Sequence, residues 1–114
     1  MVFPMRDRFY RGRAAWNYTY ALVDPRDGKV FYVGSGRGER INDHEGEAVA
    51  GKAYPRSARI REILADGLSV RKTIIGLFAD RRRAREFELE TIKAIGYENL
   101  TNTTPALCRS IGTQ

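Results

Sequence analysis

Two short runs rich in aromatic and β-branched residues, joined by a tight turn, constrain this chain more than any other feature. Asn17-Tyr18-Thr19-Tyr20-Ala21-Leu22-Val23-Asp24 is followed by Pro25-Arg26-Asp27-Gly28 and then by Lys29-Val30-Phe31-Tyr32-Val33-Gly34. Side chains of this kind suit a pleated surface. Proline presets φ for a turn and glycine accepts positive φ, so the pattern predicts an antiparallel hairpin. Ser35-Gly36-Arg37-Gly38 should break the second strand and lead into a helix over about 39–50. A connector over 51–55 precedes a second helix over about 56–65, with Ile60, Ile63 and Leu64 on one face and Gly67 suited to a left-handed end. Residues 68–78 read as a third strand. Asp80 can cap a third helix that runs to about Ile95 and stops at Gly96. The order β-β-α-α-β-α predicts a small sheet with helices packed on it, an α+β fold.

The length of 114 residues fits one domain, and 42% hydrophobic content suffices for one core. We divide the chain into a basic N-terminal arm over 1–16, with Arg6, Arg8, Arg11 and Arg13 against Asp7, and a folded domain over 17–114. The arm could touch a phosphate backbone or be a solvated tail. Twenty basic against 14 acidic residues leave a net charge of +6, which favours polyanionic partners through counterion release, although a merely basic soluble protein has the same balance. The single cysteine, Cys108, excludes an intramolecular disulfide and a multi-cysteine zinc site. The start of the chain lacks the apolar run of a signal peptide, and no stretch approaches the roughly 18 apolar residues of a membrane span. The default expectation is a reducing, cytoplasmic location.

One carboxylate falls on the wrong side of a helix. At about 100° per residue, Ala84, Phe87, Thr91, Ile92 and Ile95 share a face, and Glu88 lies inside that stripe, while Glu86 and Glu90 point away. A carboxylate on a packed side needs a cation, an arginine or hydrogen-bond donors to stay ionised. It is either a structural salt bridge or part of a site. Arg40 and His44, spaced i, i+4, would project from one face and act on the same ligand. His44 is the only histidine, and a lone histidine is as readily a packing residue. The segment Gly34-Ser35-Gly36-Arg37-Gly38 fits neither a Walker loop nor a dinucleotide fingerprint; its glycines allow a sharp turn or close backbone access. Arg81, Arg82, Arg83 and Arg85 form a basic cluster that contacts nucleic acid backbone or is a solvated face, and Arg37 joins them as a candidate phosphate contact.

Taken in order, these residues resemble the GIY-YIG nuclease family over roughly residues 17–103. Tyr18-Thr19-Tyr20 is a degenerate form of the first half-motif, and Tyr32-Val33-Gly34 is close to the second. Arg40 with His44, Glu88 ahead of Ile92-Lys93, and Asn102 near the end match the remaining elements. The runs from Tyr20 to Gly34 and from Ala58 to Leu64 are most similar to the compact bacterial and LEM-domain-nuclease branch. Tyr18 stands where the family has glycine, and Ser35 where many members carry lysine.

The resemblance implies a small three-stranded antiparallel sheet flanked by helices, and a metal-dependent endonuclease that hydrolyses phosphodiester bonds, in DNA before RNA. It implies Tyr20, Tyr32, Arg40, His44 and Glu88 as catalytic residues, with Glu88 holding Mg²⁺ or Mn²⁺ and Arg40 binding phosphate oxygens. Tyr32 would orient or deprotonate water, Tyr20 would support it, and His44 would assist proton transfer or grip the substrate. Gly34, Ser35 and Asn102 would be supporting residues, with Asn102 orienting the final segment. A catalytically inactive nucleic-acid-binding module of the same fold is the alternative, and an interaction domain with incidental charge is a third. Targeting could come from a partner or a homodimer.

Overall fold

The computed structural model describes residues 16–102. The hairpin forms where the two runs place it: β1 (Asn17–Asp24) pairs antiparallel with β2 (Lys29–Arg37). The other edge of β1 pairs antiparallel with β3 (Arg71–Phe78), giving the order β2-β1-β3. Gly28 takes φ 73° in the turn, and its N–H donates to the Asp24 carbonyl at 2.8 Å. Helices α1 (Asp43–Val49), α2 (Pro55–Ala65) and α3 (Arg81–Ile95) complete an α+β domain. Cys108 and the arm, Trp16 excepted, lie outside the described residues. Among the described residues no helix is long and apolar enough to cross a membrane.

Three boundaries differ from those expected, each for a tertiary reason. The second strand does not break at Ser35: Gly34, Ser35, Gly36 and Arg37 pair with Tyr20, Thr19, Tyr18 and Asn17, so the ladder overrides the weak strand preference of glycine. The first helix is shorter, because a 3₁₀ turn over Gly38–Asn42 precedes it. The Tyr18 hydroxyl donates to the Gly38 carbonyl at 2.7 Å and accepts the Ile41 N–H at 3.0 Å, which ties that turn to the sheet. Tyr18 thus uses the position where the motif has glycine to hold the turn that carries Arg40. The third strand starts at Arg71 rather than residue 68, because the Val70 N–H goes to Glu45 Oε2 on α1 at 3.1 Å.

Alternation along β1 divides the molecule into layers. Tyr18, Tyr20 and Leu22 face a core built with Ile41, Ala48, Ile60 and Ile63. On the other side α3 lies against the sheet, where the Thr19 hydroxyl donates to the Ala84 carbonyl at 2.8 Å and Ala84 and Ile92 are buried. Asp80 caps α3 by accepting the Arg82 N–H at 2.8 Å. Buried Asp24 ties α2 to the hairpin, its carboxylate held by Arg26 at 2.8 Å and Arg59 at 2.7 Å. The hydrogen bond from Arg26, assisted by Arg59, keeps that carboxyl well below the usual range despite its burial.

The described residues cover the outer edge of β2 in part. Thr101 donates to the Phe31 carbonyl from its backbone at 2.7 Å and its hydroxyl at 2.9 Å. The Asn102 amide then pairs with Val33 in both directions, donating to its carbonyl at 2.7 Å and accepting its N–H at 3.1 Å. Among the described residues this cover ends at Val33. Asn102→Ala should cost about 1–2 kcal/mol, the net worth of two such bonds. Hydrogen exchange should show the Val33 amide losing protection while the amides shared between β1 and β3 keep theirs.

Candidate active site

Beyond Val33, β2 borders a cleft of about 480 Å³, lined among the described residues by Asn17, Tyr32, Ser35, Gly36, Arg37, Arg40, Arg81, Ala84, Arg85 and Glu88. The cleft wraps around the sheet edge. Tyr32 pairs opposite Leu22, so it shares the face of the α1 and α2 layer, whereas Ser35, opposite Thr19, points to α3. Groups from two layers therefore meet across one strand.

Two glycines permit that meeting. A Cβ on Gly34 would lie 2.8 Å from the Tyr20 hydroxyl and 2.9 Å from Tyr32 Cε2, and a Cβ on Gly36 would lie 2.6 Å from Arg40 Cγ and 2.7 Å from its Cβ. Their place in a glycine-rich run suggests turns or close access for a ligand. Neither makes a turn; each admits a side chain of this protein.

Glu88 is half-buried on α3 and accepts a hydrogen bond from the Ser35 hydroxyl through Oε1. Among the described residues it forms no ion pair, so the structural salt bridge is absent there. Arg40 commits Nη1 to Glu47 at 2.9 Å and Asp43 at 3.4 Å, while its Nε and Nη2 make no hydrogen bond among the described residues. Burial pulls this guanidinium down, but the bond to Glu47 and the charge of Glu47 more than offset that, holding it above its ordinary value.

His44 does not share a ligand face with Arg40. The intervening change from 3₁₀ turn to α-helix turns it inward, where it is 1% exposed and its Nε2 lies 2.5 Å from the Tyr20 hydroxyl. Tyr20 is also buried, and the rings of Tyr20 and His44 stand behind Tyr32 at centroid distances of 6.3 and 5.2 Å. Burial raises both phenols above their ordinary value; for Tyr32 the charges of Arg56 and Arg40 partly oppose it. Burial, followed by the charges of Arg40 and Arg56, pulls the His44 imidazole down to about 4.

Two residues of this cluster were not singled out from the sequence. Glu47 on α1 accepts from Arg40 and, at 3.3 Å, from Arg56 Nη2. Arg56 on α2 donates from Nε to His44 Nδ1 at 3.0 Å and lies over the Tyr32 ring, 5.0 Å from its centroid. The i, i+3 spacing of His44 and Glu47 was a local signal; Arg56 had none. The arginine cluster divides. Arg81 and Arg85 share the Glu88 face of α3 and line the cleft, whereas Arg82 and Arg83 do not, and Arg82 reaches towards Glu86 at 3.8 Å. Asn102 stays at the strand edge, pinning Val33 between Tyr32 and Gly34.

Residues 17–111 match the family model of the LEM-3-like GIY-YIG domain. The chain belongs to this GIY-YIG family. No curated protein and no solved structure matches it. GIY-YIG domains are nuclease domains, and nucleic acid is the corresponding class of substrate. Among the described residues of this GIY-YIG domain no cluster of three or more His, Cys, Asp or Glu could cage a metal. The lone cleft carboxylate, with Oε2 uncommitted among the described residues, fits a hard cation that accepts one carboxylate and keeps several waters. It does not fit a closed zinc site.

Gly34→Ala should destabilise the domain by about 1–3 kcal/mol, the usual cost of overpacking against rings that cannot retreat, as read from urea melts. Stability should also depend on pH through His44. Its imidazole is held near 4 in the folded chain against an ordinary 6.5, so unfolding takes up a proton between those values. The contribution is complete above about pH 6.5 and is lost as pH falls towards about 4, a change on the order of 3 kcal/mol. Urea midpoints should fall across that window, and His44→Gln should flatten the slope there.

Proposed function

We propose that this GIY-YIG domain is an endonuclease that hydrolyses phosphodiester bonds in DNA, with a divalent metal ion held at Glu88. The observation that carries the proposal is the convergence on one cleft of a carboxylate without a cationic partner among the described residues, an arginine with uncommitted donors and a half-buried phenol. When bound, Mg²⁺ or Mn²⁺ supplies the positive charge that polarises the phosphate and eases departure of the leaving oxygen.

The chain's own residues account for the rest. Arg40, braced at Nη1 by Glu47, presents Nε and Nη2 to the non-bridging oxygens, where a planar fork suits phosphate. Tyr32 remains a neutral phenol near neutral pH, because burial raises its pKa, and it orients the attacking water through its hydroxyl. Ser35 holds the Glu88 carboxylate in place. Arg37, Arg81 and Arg85, which form no ion pair among the described residues, receive the flanking phosphates. Such contacts give affinity and register without reading bases. Sequence preference would then come from substrate shape, a targeting partner or a second copy of the chain.

Supercoiled plasmid should be nicked in Mg²⁺ or Mn²⁺ and left intact in chelator, with a structured RNA run in parallel to test the choice of DNA. Glu88→Gln and Arg40→Lys should each lower the rate by about a hundredfold or more, the scale for losing a group aimed at transition-state charge. Glu88→Gln should keep salt-dependent DNA binding. Nicking that persists in chelator and in both variants would defeat the assignment, and binding without any cleavage would favour the inactive module.

A further inference from the structure

The contacts of the buried imidazole fix the direction of its hydrogen bonds. A guanidinium N–H can only donate, so the 3.0 Å bond from Arg56 Nε makes His44 Nδ1 an acceptor. In a neutral imidazole the ring proton then sits on Nε2, since the bond made by one nitrogen sets the state of the other. Nε2 is 2.5 Å from Tyr20 Oη, so this bond runs from His44 to Tyr20 and the Tyr20 hydroxyl accepts. That hydroxyl therefore retains its own proton for donation elsewhere. Tyr20 Oη and Tyr32 Cε2, the carbon beside the one bearing the Tyr32 hydroxyl, both lie within 3 Å of the point a Gly34 Cβ would occupy.

We propose that Arg56 is a positioning residue: by donating to Nδ1 it locks His44 as the Nε2–H tautomer and so frees the Tyr20 hydroxyl proton for donation on the side of Gly34 and Tyr32. Its service to catalysis rests on the nuclease reading above, whereas the tautomer lock does not. Arg56 is built in for this task. Its Cζ lies 5.0 Å from the Tyr32 ring centroid and 4.2 Å from that of Tyr54, its Nη2 donates to Glu47 Oε1 at 3.3 Å, and it does not line the cleft.

Glu47 is the competitor. Its Oε1 lies 3.6 Å from His44 Nδ1, near enough to draw a proton onto that nitrogen once the Arg56 donor is gone. A protonated Nδ1 would have one of two consequences. In the alternative neutral tautomer Nε2 would become an acceptor, and the Tyr20 proton would be engaged there. In the imidazolium a buried charge would stand beside Tyr20. The charged and titratable groups facing the ring are Arg40, Arg56, Lys72, Glu47, Tyr20 and Tyr32. Arg56 and Glu47 alone among them meet Nδ1.

The chain has one histidine, so ¹⁵N-histidine labelling reports this ring and no other. In the wild type at neutral pH, Nδ1 should show the shift of an unprotonated nitrogen and Nε2 that of a protonated one. Arg56→Met keeps the stem without the donor, and Nδ1 should gain a proton in it. Glu47→Gln should retain the wild-type pattern, because the Arg56 donor remains. A wild-type ring protonated at Nδ1, or an unchanged pattern in folded Arg56→Met, overturns the proposal. In plasmid cleavage, Arg56→Met should lower kcat roughly tenfold to a hundredfold, the range for groups that orient from behind, with KM within about twofold. An unchanged kcat despite a switched ring overturns the positioning role. A wild type with the expected ring pattern that cuts neither DNA nor RNA supports the tautomer lock and counts against the nuclease reading instead.

Discussion

Where Gly34 passes beneath Tyr20 and Tyr32 there is no room for a methyl group, and two residues further on the same holds where Gly36 meets the stem of Arg40. These contacts set how closely aromatic and guanidinium groups can approach the backbone of β2. Ser35, between them, points to the other face and reaches Glu88. The alternation of glycine, serine and glycine therefore makes one face of the strand bare and gives the other a hydroxyl. The ladder with β1 holds that arrangement in register, and Asn102 fixes the strand just before it.

Charge is distributed unevenly around this strand. Behind it, Glu47 is shared between Arg40 and Arg56; in front, Glu88 has a serine hydroxyl and no cation among the described residues. Burial would raise the Glu47 carboxyl, but hydrogen bonds and charge from Arg40 and Arg56 prevail and hold it below the ordinary value. An ionised Glu47 restrains one nitrogen of the Arg40 fork. Buried Tyr20 and a neutral, buried His44 stand behind the half-buried Tyr32.

Features encoded by local periodicity were legible in the sequence. The hairpin, its turn, the Asp80 cap and the half-buried place of Glu88 follow from patterns within one or two turns of chain. Long-range pairing was not legible, which is why β2 continues through a glycine-rich segment that looks like a break. Helix spacing does not relate Arg40 to His44, because Arg40 lies in a 3₁₀ turn, and the Tyr18 hydroxyl that holds this turn comes from a distant strand. Arg56 sits on an ordinary-looking helical face beside Pro55, and its partners lie on α1 and β2. The division of the α3 arginines, by contrast, was available from helical periodicity alone, since Arg81, Arg85 and Glu88 fall on one side.

Arg40 and Glu88 approach the cleft from opposite faces of the same strand. On the proposed reading, the gap between the group that meets the phosphate and the group that holds the metal is then set by the thickness of one pleated strand, a dimension that the covalent backbone makes stiff. Both groups are placed by packed secondary structure, Arg40 against Gly36 and Glu88 against Ser35. Widening that gap would mean lifting α3 off the strands beneath it, where the Thr19 hydroxyl and the buried Ala84 and Ile92 hold it.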